Sequence, residues 1–109
     1  MVELRTLGTL TVRGPDGREL HALVAQPKRF ALLAYLCLAI PRGFHQREAL
    51  LGLFWPEADE FHARAALRKS LHVVRHAVGN DTILSRGEDQ IGVAFDEISC
   101  DAAEFEDLV

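Results

Sequence analysis

Arg64, Arg68, Lys69 and Arg75 lie between Phe61 and Gly79, with His62, His72 and His76 among them and no acid in the stretch. Guanidinium and ammonium groups in such a row are suited to holding a polyanion. Phosphates take their charge, and a well-placed fork of N–H donors meets O6 and N7 of guanine. Placed at 100° intervals around a helix, Leu67, Leu71, Val74 and Val78 fall on one narrow stripe, with Ala63 and Ser70 beside it. Round the other side run Arg64, Arg75, Arg68, His72, Ala65, His76, Lys69 and His62, one continuous face without an acid. The major groove of duplex DNA is wide enough to admit such a helix. Solvated helix faces usually mix charge signs to form i,i+4 pairs. Here Arg64–Arg68, Arg68–His72 and His72–His76 are like-charged or neutral, a pattern that predicts an external anionic partner. A plain solvated face is the alternative.

Other chemistries have weaker support. His72 and His76 are spaced i,i+4 and could share a metal, but no thiol or carboxylate is placed to complete the shell. Glu88-Asp89 and Asp96-Glu97 are adjacent acids that read as solvated charge rather than an acid–base pair. No Ser/His/Asp or Cys/His set has an interpretable context, and Gly87 or Gly92 alone is no phosphate loop. Cys37 and Cys100 are far apart in sequence and read as free thiols, one of them in the core. The expectation is a protein that is not an enzyme and needs no metal or cofactor.

The elements that would position the basic face can be read in order. Residues 3–24 suggest a small antiparallel sheet. Leu4 and Thr6, then Leu10 and Val12, alternate around Gly8; Gly14-Pro15-Asp16-Gly17 signals a turn; Leu20, Ala22 and Val24 continue the alternation. Pro27 opens a first helix that ends at Pro41-Arg42-Gly43. Gly43-Phe44-His45 is a short extended link. A second helix runs from about Gln46 to Phe54, and Pro56 stops it. A third runs from about Asp59, which can cap it, to Val78, with Gly79-Asn80 as its stop. Residues 82–93 read as a hairpin around Arg86-Gly87-Glu88-Asp89, and a last helix starts at Asp101. The expected fold class is α+β: a winged helix-turn-helix with an N-terminal antiparallel sheet, three helices and a C-terminal β-hairpin wing.

Bulk properties agree with one domain. The chain has 109 residues, 49% of them hydrophobic and 26% charged, which is ordinary globular composition. Its longest apolar run, Phe30–Ile40, suits a buried helix better than a membrane span, and Met1–Arg5 lacks signal-peptide character, so the expected location is the cytoplasm. The net charge of −4 hides an asymmetry: residues 96–109 hold six acids and no base, and without them bases outnumber acids. For contact with DNA the local patch decides.

The ordered set of segments resembles a known family. Leu50-Leu51-Gly52-Leu53-Phe54-Trp55 and the run Leu67–Gly79 are similar to the DNA-binding domain of the Streptomyces antibiotic regulatory protein family, an OmpR/PhoB-type winged helix-turn-helix. Leu4–Gly8, Pro27–Leu33 and Asp101–Phe105 fit as well, so the likeness covers nearly the whole chain. It implies a bacterial transcription activator that binds promoter DNA, often as two copies on direct repeats. The third helix would be the recognition helix, with Ala65, Lys69, His72 and Val73 facing the groove and Arg75 holding a phosphate or base edge. Arg47 and Trp55 match family positions near the DNA backbone. The turn Pro56–Glu60 would correspond to a loop that touches RNA polymerase. Residues 1–100 would form the DNA-binding domain, and 101–109 would start a helix leading to a helical activation domain. Two departures stand out: Val73 is apolar where relatives often carry a base, and Glu88 and Asp89 lie beside Arg86 at the hairpin tip, which argues against a wing grip on the minor groove. With Arg64, Arg68 and His76, these residues make up the candidate DNA-binding set. A winged helix used as a protein-interaction module, through its acidic flank and the Trp55 region, is the competing function.

Overall fold

The computed structural model describes residues 1–7, 10–39 and 42–102. Among them, four helices and two three-stranded sheets make an α+β fold. Strands β1 (Val2–Arg5) and β2 (Thr11–Arg13) are followed by helices α1 (His21–Val24) and α2 (Pro27–Leu38). Next come β3 (His45–Gln46), α3 (Arg47–Phe54) and α4 (Glu60–Val78), then β4 (Ile83–Arg86), β5 (Gln90–Val93) and β6 (Ile98–Cys100).

The N-terminal sheet departs from the expected antiparallel one. Its order is β2-β1-β6, with β1 antiparallel to β2 and parallel to β6. The turn at Gly14–Gly17 forms as its residues require, the Gly17 amide donating to the Gly14 carbonyl at 3.0 Å. The chain after it does not continue as a strand. Leu20, Leu23 and Val24 pack inward at helical spacing while Ala22 is exposed, so the segment turns as α1. An alternating strand would have put Leu20, Ala22 and Val24 on one face. This turn adds a fourth helix to the three expected.

Two ties hold β6 beside β1. Ile98 and Cys100 bury their side chains next to Val2 and Leu4. Beyond β6, the Asp101 carboxylate accepts from the amides of Thr6 (2.8 Å) and Leu7 (2.9 Å) and from the Thr6 hydroxyl (3.1 Å). Burial works against its charge, but these donors and the Ala102 amide hold the carboxyl below its usual range. The helix expected from Asp101 is described only at residues 101–102; the rest of it lies outside the described residues.

The second sheet, β3-β5-β4, contains the expected hairpin and one strand more. The link before α3 becomes β3, pairing His45 with Ile91 and Gln46 with Gln90. Gly87, at φ 64°, makes the tight turn between β4 and β5. Gly92 leaves room for the Phe44 ring: a Cβ there would sit 3.1 Å from Phe44 and 3.2 Å from the Gly43 carbonyl oxygen.

The core joins the two sheets and three longer helices through Leu4, Val12, Leu32, Leu33, Leu36, Leu50, Leu67, Leu71, Val74 and Ile91, each at most 2% exposed. Both cysteines are buried free thiols, not only one. Burial and the neighbouring Cys100 push the Cys37 thiol up to about 12. No helix among the described residues is long and apolar enough to cross a membrane.

Candidate nucleic-acid interface

α4 is placed by its two ends and its apolar stripe. Asp59 caps it, accepting from the His62 amide at 2.8 Å, while the His62 ring nitrogen lies 2.7 Å from the other carboxylate oxygen. Those bonds hold the Asp59 carboxyl below its usual range. At the far end Gly79 takes φ 104°, and the Thr82 hydroxyl donates to the Val78 carbonyl at 3.1 Å. Ala63, Leu67, Ser70, Leu71, Val74 and Val78 are buried, as the helical spacing requires. Nineteen residues make a rod about 28 Å long.

Arg64, Arg68, Lys69, His72 and His76 are exposed along the outer side of that rod, and Ala65, Val73 and Arg75 are half-buried beside them. Arg68, Lys69, His72 and His76 have no ion pair or side-chain hydrogen bond among the described residues. Arg64 differs from the expectation of an unpaired face. Its guanidinium lies 3.0 Å from Glu60 and 3.4 Å from Glu48. Glu60 immediately precedes the acid-free stretch Phe61–Gly79, and Glu48 comes from α3.

The remaining candidates surround this face. Arg75 donates to the Ser85 hydroxyl at 2.7 Å, tying α4 to β4. Arg86 donates to Gln90 at 2.5 Å and lays its guanidinium 4.4 Å from the Phe44 ring centroid, so it lies along the hairpin. The Arg47 amide donates to the Asp89 carbonyl at 2.7 Å, joining α3 to the hairpin turn. Its Nε is buried with no hydrogen-bond partner among the described residues. Burial, and then the nearby Arg75 and Arg64 charges, lowers the Arg47 pKa, with Asp89 opposing. Arg47, Arg64 and Arg68 share a cleft of about 210 Å³ with Glu88 and Asp89, floored by Leu51 and Leu67. Acids therefore border the basic face on its hairpin side.

Trp55 is 9% exposed, so most of the indole is core; it packs against Phe54, and Lys28 Nζ sits 5.7 Å from its ring centroid. Lys28 and Arg29, at the start of α2, were missing from the candidate set. They border the same groove as Trp55 and Lys69. Their signal was present as two bases following Pro27 at a helix start, but their approach to α4 depends on how the two helices pack. Among the described residues no group of three or more His, Cys, Asp or Glu side chains is placed to hold a metal.

No family model matches the chain, and no characterised protein or solved structure matches it at a significant level.

Proposed function

We propose that this protein binds double-stranded DNA in a sequence-specific way and regulates transcription as an activator. In this reading α3 and α4 are a helix-turn-helix, α4 enters the major groove, and the β4–β5 hairpin is its wing. The observation that carries it is the exposed row Arg68, Lys69, His72 and His76, none of them in an ion pair among the described residues, on one face of a rod whose other face is core. An isolated row of cations on a rigid helix costs self-repulsion that polyphosphate would relieve. Lys69 and His72, with Ala65 and Val73, would face base edges. Arg75 and Arg86 would reach phosphates by giving up their bonds to Ser85 and Gln90, Arg47 would turn its guanidinium outward, and Trp55 would offer only its open edge.

By the resemblance, the target is a bacterial promoter with direct repeats, bound by two copies side by side in the cytoplasm, without cofactor, metal or catalysis. The Pro56–Glu60 turn would touch RNA polymerase. A protein-interaction role has one specific support: Leu53 and Phe61, on either side of that turn, are 55% and 78% exposed.

Selection from random duplexes, followed by titration against salt, separates the two. A DNA binder that neutralises about five phosphates loses affinity with a log–log slope near −4.5. Failure to enrich any sequence, together with affinity indifferent to salt, would remove the DNA reading.

A further inference from the structure

We propose that the groove at the start of α2 is a binding site for a small planar aromatic carboxylate. It is an open groove of about 500 Å³ where the corner between α1 and α2 meets the end of α3 and the middle of α4. Small-molecule sites commonly span about 300–1,000 Å³. Ala25, Pro27, Trp55 and Ala66 give it an apolar lining, and Lys28 and Lys69 give it positive charge. Lys28 shares its charge with Glu57 at 3.0 Å, while Lys69 has no ion pair among the described residues. The first turn of α2 adds to the positive end, because its N-cap, Gln26, provides no side-chain cap.

The second, independent observation is Ser70. It is only 5% exposed and lines the groove, and its hydroxyl makes no hydrogen bond among the described residues. The hydroxyl is reached from the groove, where it can donate to an acceptor. The three features together select the ligand class. A flat ring covers the apolar lining and meets the open edge of Trp55, while its carboxylate accepts from Ser70 and neutralises Lys69. Inorganic phosphate would meet the cations but leave the apolar wall wet.

The site does not depend on the DNA reading, and its test contains no DNA. Trp55 is the single tryptophan of the chain, so its emission reports on the groove. Naphthalene-2-carboxylate titrated into the whole chain should give a saturable change in that emission. Amide NMR shifts should be confined to residues 25–29, 55 and 66–70. Ser70→Ala should weaken binding roughly tenfold, as for a lost hydrogen bond to a charged acceptor. The neutral analogue naphthalene-2-methanol should bind at least that much more weakly. No saturable response, shifts centred elsewhere, or equal affinity for Ser70→Ala would overturn the proposal. So would inorganic phosphate abolishing the response at equal concentration, because the apolar wall would then contribute nothing. If Ser70→Ala fails to fold, the shift map and the neutral analogue decide on the wild-type chain.

Discussion

Arg64 sits on the basic face yet is already paired, and that makes its contribution to the proposed DNA binding conditional. Glu48 and Glu60 lie 3.4 and 3.0 Å from its guanidinium, and all three side chains are well exposed, at 80%, 71% and 45% respectively. Exposed ion pairs of this kind contribute about 0.2–1 kcal/mol each, so neither acid is essential to folding. Glu60 also favours the positive end of α4, which adds about 0.3–1 kcal/mol. The double variant Glu48→Gln, Glu60→Gln should therefore unfold about 1–2 kcal/mol more easily in urea and remain folded at 25 °C. On DNA it should act in the opposite sense. In the native chain a phosphate must compete with two carboxylates for Arg64, so Arg64→Ala should cost no more than about threefold in affinity. Once the acids are neutral, the freed guanidinium can meet a phosphate, and the same Arg64→Ala change should cost about tenfold. The salt slope of the glutamine variant should steepen by roughly 0.9, the value for one further phosphate. Fluorescence anisotropy with one selected duplex at several salt concentrations, run over all four combinations, gives the cycle directly. Equal loss on Arg64→Ala in both backgrounds, with an unchanged slope, would show that the two acids do not govern this arginine.

Lys69→Ala should alter which bases are selected from random duplexes, whereas Arg75→Ala should weaken all sequences more evenly; retention of the full preference by Lys69→Ala would remove that residue from the reading set. Gly92→Ala should destabilise by about 1–3 kcal/mol in urea melts, because its methyl would crowd Phe44 and the Gly43 carbonyl at 3.1 and 3.2 Å. Asp101 binds its proton less readily folded than unfolded, so its stabilising effect is full about one unit above the ordinary value of 3.8 and fades as pH falls through that value towards the lower folded one; Asp101→Asn should flatten this acid limb of the stability–pH curve. Cys37, buried and with its thiol near 12, should resist alkylation at pH 8 until urea opens the core; fast labelling of the folded chain would contradict the packing around it.

Local periods and local stops were readable from the sequence. Ala63, Leu67, Ser70, Leu71, Val74 and Val78 share a face because nineteen residues are enough for a 3.6-residue period to be unmistakable. Asp59 and Gly79 mark the ends of α4 by chemistry that acts within four residues. Residues 20–24 are too few for that: Leu20, Leu23 and Val24 fit a helical turn as well as Leu20, Ala22 and Val24 fit a strand, and burial in the folded chain decides between them. The parallel pairing of β1 with β6 joins Val2 to Ile98, a separation over which alternation in strands of four and three residues says nothing about the partner.

The same division runs through the candidate site. Which residues of α4 face outward follows from the period, but which of them keep a free charge depends on what other elements bring near. Glu48 reaches Arg64 only because α3 packs against α4, and Glu88 and Asp89 border Arg47 and Arg68 only because the hairpin turn sits beside α3. The excess of bases between Phe61 and Gly79 therefore overstates the charge open to an external anion. Arg64 is paired, Arg75 leans on Ser85, and Arg68, Lys69, His72 and His76 remain. The permanent positive charge left open on α4 comes from two residues, Arg68 and Lys69. Affinity would then have to come from elements outside α4 as well: Lys28 and Arg29 on one side, Arg47 and Arg86 on the other.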